Sequence, residues 1–344
     1  MPTRGLLDCN MASSRPGEHL SGKYMEVDTA PGAAGFWRRS AAFLVDCLVL
    51  GVAGALAGWA LLDVFVRMGG YGRLVGFFIA LTYFGVMNSV LCMGQTLGKR
   101  LLGVRVVGRD GALLALPQSL LRYSVLGVPF FLNGAQFDRD VLLSPLQYVL
   151  TLLIFGGTLS ILYLYLFNRR GRRSLHDLAV GSSVVTAQTP LAAVRPMPVW
   201  RVHLVVVAVL MIAAAAVPAF TGQLAQSDYF KDLLAAHEAV SAEPGVQSAR
   251  VVHNTAFGTP NVESVVVQVN LSERRIDDKA LAEHIAKVVL ANDKKAAAMS
   301  AIHVTLVYGY DLGISSSWRS MGYQFAPKAL AAAGSNDTEA GIRR

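Results

Sequence analysis

Arg39 and Asp46 stand seven residues apart at the head of residues 40–62, an apolar run in which Asp46 is the only charge. Seven residues is nearly two helical turns, so both side chains share one face, about 10 Å apart along the axis. A carboxylate at that depth in lipid costs roughly 3 kcal/mol or more unless it is paired or wet. Arg39 is too far away for direct contact, and Arg122, near the start of the apolar stretch 118–136, is the expected partner. Two uses fit such an acid: an ion or proton relay, or a structural clamp that fixes helix register. The residues leave both open.

A second cluster, Gly94-Gln95-Thr96-Leu97-Gly98-Lys99-Arg100, follows the next apolar run. It is only superficially a phosphate loop. Its glycines are one residue too close, and Arg100 stands where Ser or Thr would bind magnesium. A membrane helix also precedes it in place of a strand. The glycines are better read as helix breakers, with Lys99 and Arg100 placed for anionic headgroups. Residues 105–111 then read as a short hairpin at the membrane surface. The third cluster holds Arg169, Arg170, Arg172 and Arg173, then His176 and Asp177. Adjacent helical residues point about 100° apart, so His176 and Asp177 form no catalytic pair by themselves. A surface turn with arginine–aspartate pairing is the expectation.

Elsewhere, His237, His253, His284 and His303 are scattered without metal-ligand spacing. Cys9, Cys47 and Cys92 include no CxxC pair, so neither a disulfide framework nor a zinc site is indicated. No catalytic constellation, metal or cofactor is expected, and the chain does not read as an enzyme.

These residues must be positioned by membrane helices. Hydrophobic residues make up 53% of the chain and charged ones 16%, with a mean hydropathy of +0.44, which belongs to the membrane class. The predicted spans are 40–62, 74–94, 118–136, 145–167 and 202–222, each near the 20 residues a bilayer core requires. Of these, 118–136 is the weakest, with Arg122 near its start and Pro129 inside. Parity supports it, because the basic loops 95–117 and 168–201 both read as cytoplasmic and must be joined by an even number of crossings. The amino terminus is then inside and the carboxyl-terminal part outside. Residues 1–222 hold 19 basic against 10 acidic side chains, while 223–344 hold 12 against 13, so the positive excess belongs to the membrane part. That distribution is a topology signal, and nucleic acid is not an expected partner. Gly54 and Gly58 form a GxxxG with Gly51 nearby. Packing against another span of the same chain is expected there, with a dimer seam as the alternative.

Residues 1–35 carry no secretory apolar core and read as a disordered cytoplasmic tail. Residues 36–187 form the membrane domain, 188–222 a linker and fifth span, and 223–327 a small extracytoplasmic α+β domain, followed by a flexible 328–344 tail. Within that domain 224–242 and 277–292 read as helices, the second capped by Asp277. Strands are read at 248–257, 262–271 and 301–309, with a short aromatic one near 318–325, giving the order αββαββ. Val265, Val267, Val269 and Leu271 mark the inward face of the second strand.

The three clusters together resemble the RDD family of bacterial membrane proteins. The resemblance rests on Arg39, Asp46, Gly94 to Arg100 with the following Val104-Arg105-Val106, and His176-Asp177. It covers about residues 33–187 and leaves the fifth span and the exported domain as additions. It implies a multi-pass inner-membrane protein in which Arg39, Asp46 and Asp177 are the family's named residues, and transport such as sodium/proton exchange as the activity. The expected fold is thus an all-α transmembrane bundle of five spans plus a small α+β domain. The expected site is Arg39, Asp46, Arg122 and Asp177 beside the motif loop Gly94, Gln95, Gly98, Lys99 and Arg100. The bilayer is the expected partner, and five spans would need a homo-oligomer to enclose a pore. The alternative is a membrane-anchored scaffold or signalling protein whose exported domain binds envelope partners.

Overall fold

In the computed structural model, residues 32–137, 141, 144–194, 197–225, 228–258 and 262–332 are described. Most of the expected 1–35 tail, with Cys9, and most of the 328–344 tail lie outside the described residues. Helix α1 spans Phe36–Ala60, 25 residues or about 37 Å. In lipid every backbone group must bond within its own segment, and an uninterrupted apolar helix meets that demand. Leu61 breaks the run, and the chain reverses into α2, Leu62–Met68, a 3₁₀ turn Gly69–Tyr71, and α3, Gly72–Met87. Residues 63–73, expected as a loop, are therefore helical. The cause is tertiary: Tyr308 OH donates to Asp63 at 2.7 Å, and Phe65 and Val66 are buried in the carboxyl-terminal core. α3 also stops before 94, at Asn88, whose amide donates back to the Phe84 carbonyl.

A tight turn through Met93 and Gly94 leads to the short α4, Leu97–Leu101, and β1, Val104–Val107. The hairpin expected within 105–111 is not formed. β1 pairs antiparallel with β2, Ser183–Thr186, and Ala33 bridges to Val185. α5, Leu116–Leu132, starts on Leu116-Pro117, where a missing N–H costs nothing. It runs antiparallel to α3 along that helix's length. Tyr123 stacks on Phe84 at 4.7 Å, and Phe131 meets Phe77 at 5.6 Å near the other end.

α6, Leu146–Thr151, passes through a π turn at Leu152–Gly156 into α7, Gly157–Phe167. Gly156 gives Met211 close approach and Gly157 does the same for Pro129, so the π turn is where neighbouring helices seat. α8, Leu175–Val180, precedes β2, and α9, Arg201–Ala225, lies against the π turn. Among the described residues, four helices are long and apolar enough to cross a membrane: Phe36–Ala60, Leu62–Met87, Leu146–Phe167 and Arg201–Phe220. α5, with 17 residues, is shorter than these.

The carboxyl-terminal region has the expected order: α10 Asp228–Ser241, β3 Val246–Ala256, β4 Val262–Leu271, α11 Lys279–Asn292, β5 Ala301–Asp311 and β6 Ser316–Phe325. The sheet order is β3-β4-β5-β6, antiparallel except for the β4–β5 pair. Val265, Val267, Val269, Ile302, Val304 and Leu306 are fully buried in its core. Asp278, rather than Asp277, caps α11 by accepting from Leu281 N at 2.9 Å. Residues 327–332 make a helical turn that buries Leu330 in the same core.

This region docks on the bundle through the β5–β6 turn, which wedges between α1 and α3. A Cβ on Gly54 would lie 2.8 Å from Ser315, one on Gly58 would overlap Tyr310, and one on Gly76 would overlap the Leu312 carbonyl. The small-residue seam of α1 thus receives a β-turn, where the sequence suggested another span. Arg73 Nε donates to Asp311 at 2.9 Å and holds the hairpin base.

Candidate buried charge site

Asp46 is completely buried at about the middle of α1. Its Oδ1 accepts from Tyr83 OH and from Gly98 N, both at 2.8 Å, and its Oδ2 accepts from Thr96 Oγ1 at 2.5 Å. Thr96 also caps α4, accepting from Lys99 N at 3.3 Å. Asp46 therefore holds the N-terminal turn of α4 against α1, where backbone donors favour a negative charge. A Cβ on Gly98 would overlap the Ala42 carbonyl, so glycine is what allows this approach. Gly94 is left-handed at φ +70°, and Gln95 Nε2 donates to Val104 O at 2.9 Å, tying the motif loop to β1. Arg100 is exposed.

Arg122 does not meet Asp46. Its Nη2 and Nε donate to Asp177 Oδ1 at 2.7 and 3.0 Å, while Arg39 Nη2 donates to Asp177 Oδ2 at 2.9 Å. Ser182 Oγ adds a donor at 3.0 Å, and Arg39 also donates to the Arg172 carbonyl. Asp177 is fully buried, and Arg39 and Arg122 are 8% and 7% exposed. The expected surface pairing is therefore an arginine–aspartate–arginine triad inside the protein. It becomes possible because the β1–β2 pairing carries α8 back under the first helix.

Burial opposes ionisation of Asp177, but the Arg122 and Arg39 guanidiniums outweigh it and hold the carboxyl well below the usual range. His176, 7% exposed, has its Nε2 3.6 Å from Asp177 Oδ2. Burial, reinforced by Arg122 and Arg39 and only partly opposed by Asp177, pushes its imidazole down to about 3. Lys99 donates to the Asn88 side-chain oxygen, and burial together with Arg122 lowers its pKa. The four expected residues thus form two adjoining clusters. Asp46 lies with the motif loop, and Arg39, Arg122 and Asp177 lie beside Lys99 and His176.

Next to the triad lies a cavity of about 360 Å³, with Arg39, Lys99, Arg122 and His176 on one side and Phe43, Leu44, Leu126 and Leu162 among its apolar walls. Among the described residues no three His, Cys, Asp or Glu side chains gather as a metal set. In the carboxyl-terminal region His253 pairs with the buried Asp293 at 2.5 Å, a contact that spacing along the chain does not reveal.

Residues 33–181 match the family model of the RDD family. Over 159 residues the chain is 29% identical to the "Uncharacterized protein YckC" of Bacillus subtilis (strain 168), covering 46% of this chain and 86% of that protein. No solved structure matches.

Proposed function

We propose that the helical bundle, whose residues 33–181 match the RDD family model and which holds helices long and apolar enough to cross a membrane, moves a small ionic solute across the membrane, sodium/proton exchange being the specific form. One observation carries this reading: a carboxylate with no exposed surface, Asp177, shared by two buried guanidiniums beside a cavity between helices. Buried ionisable groups with strongly shifted titration beside a cavity are candidates for functional sites, and Arg39 and Arg122 reach this one from α1 and α5. Asp46 sets the motif loop against α1, so that Lys99 faces the same cavity.

The protein sits in the bacterial inner membrane with five spans, α5 among them. The contacts of α5 with α3 from Phe84 to Phe77 support its crossing the same depth. Basic side chains concentrate on the segments assigned inside, and the sheet region is extracytoplasmic. The test is sodium and proton flux in proteoliposomes. Asp177→Asn is expected to lower flux about tenfold or more, given a transition-state or binding loss above ~1.4 kcal/mol. Wild-type flux in a folded Asp177→Asn protein would remove the relay role.

A second reading has its own support. The face of the sheet opposite α10 and α11 carries Gln268, Thr305, Ser320 and the half-exposed Trp318, while the hairpin fixes the sheet to the bundle. A membrane-anchored scaffold binding envelope partners would use that face. Crosslinking in native membranes separates the readings: one stoichiometric partner favours the scaffold, and flux without a partner favours the carrier.

A further inference from the structure

The cavity beside the triad has an unbalanced floor. Arg39, Lys99 and Arg122 bring three positive charges, and the carboxylates acting on them are Asp46 and Asp177. Both acids are already supplied with donors. Asp46 takes Tyr83, Thr96 and Gly98, and Asp177 takes Arg39, Arg122 and Ser182. Lys99 is left with a neutral amide oxygen from Asn88. His176 lines the same cavity, and its buried Nδ1 has no partner among the described residues. Lys99 feels Asp46 and Asp177 at a distance but pairs with neither among the described residues, so burial and Arg122 prevail and its pKa is lowered.

The opposite wall is apolar and faces outward. Phe43 and Leu44 on α1 and Leu162 on α7 are 43%, 66% and 50% exposed, on helices long and apolar enough to lie in lipid. α1 and α7 are tied at one level by Ser40 Oγ and Tyr165 OH at 2.7 Å, with Arg39 over the Tyr165 ring. About 360 Å³ is in the range of small-ligand sites. It holds a headgroup and the first part of a chain, and the remainder would pass between α1 and α7 into the bilayer.

We propose that this cavity binds the anionic head of a single-chain amphiphile, a phosphate or carboxylate seated against Lys99 and Arg122 with its chain leaving past Phe43, Leu44 and Leu162. The site supplies the missing negative charge, an acceptor for Lys99, and apolar cover for the chain. It stands apart from the transport reading, because binding is measured without flux.

The test uses the full chain in a non-ionic detergent, with lysophosphatidate, lysophosphatidylcholine and inorganic phosphate as probes, read by native mass spectrometry and calorimetry. The expected result is saturable binding of one lysophosphatidate per chain, about tenfold or more tighter than lysophosphatidylcholine. Lys99→Gln and, independently, Leu162→Trp should each weaken it by about tenfold, with inorganic phosphate failing to displace it. Leu162 lies on the outward wall, so its substitution keeps the test decisive should Lys99→Gln not fold. Equal binding of the two lysolipids overturns the proposal. So does lysophosphatidate binding that inorganic phosphate displaces and Leu162→Trp leaves unchanged, which would make the site one for a free anion.

Discussion

At the scale of single residues, Asp177 is the centre of the inner cluster. Two guanidiniums converge on it, and removing one member of a buried ion pair commonly costs about 3–5 kcal/mol because the other charge is stranded. His176 adds a pH signature of its own. Its folded value is about 3 against an ordinary 6.5, so between those limits the unfolded chain takes up a proton that the folded chain refuses. The His176 contribution is therefore fully present above pH 6.5 and is lost as pH falls toward 3, at up to about 1.4 kcal/mol per unit. Asp177, held low, contributes in full above the ordinary carboxylate range, and that contribution is lost as pH falls from there through its depressed value. Thermal melts of the purified protein across this window should show the slope, and His176→Gln should flatten it. An unchanged slope in that variant would mean that the proton goes elsewhere. Arg39 and Asp46 stand out in the sequence, since an acid in an apolar run just past an arginine is visible locally, whereas Asp177 entered only through the family resemblance and otherwise read as part of a surface turn. Their partners were not legible. Helical geometry along one chain relates Arg39 to Asp46, but nothing local says that Asp177 lies closer to Arg122 than Asp46 does.

At the scale of elements, the motif loop shows why. Gly94 breaks the helix as expected, but Gly98 lies inside α4, and its use depends on a carbonyl in another helix. Replacing it with alanine drives a methyl into the Ala42 carbonyl and lifts the α4 amide from Asp46. Gly98→Ala is expected to lower the melting temperature by several degrees, an effect of about 2 kcal/mol from a strained backbone and a lost charge-assisted bond. A circular-dichroism melt matching wild type would show that the loop gives way cheaply. The strands at 262–271 and 301–309 were legible because their alternation reports burial on one face, the second running on to Asp311. The β1–β2 pair was not, because four-residue strands far apart in sequence leave no periodic trace. Helix α2 was missed for a related reason: Asp63 and Arg67 look like loop residues until Tyr308 and the sheet core cover them.

At the scale of the whole molecule, the sheet region and the bundle share one apolar core through Phe65, Val66, Tyr310 and Leu312. The glycines of α1 and α3 are fitted to that contact. Gly76→Val places a branched side chain where the Leu312 carbonyl sits, and the hairpin must then leave its groove. Cleavage within residues 312–315, which the groove covers, should become possible in that variant while the helical content of the bundle is kept. Continued protection would mean that the groove widens around the new side chain.

The wedge also sets an order of assembly. The groove on α1 is synthesised well before the turn that fills it, residues 312–315. Until that turn has been translated and moved into place, the early helices hold an unfilled cleft lined by glycine. A chain halted short of β6 would keep the cleft open, presenting a mark by which unfinished copies differ from complete ones.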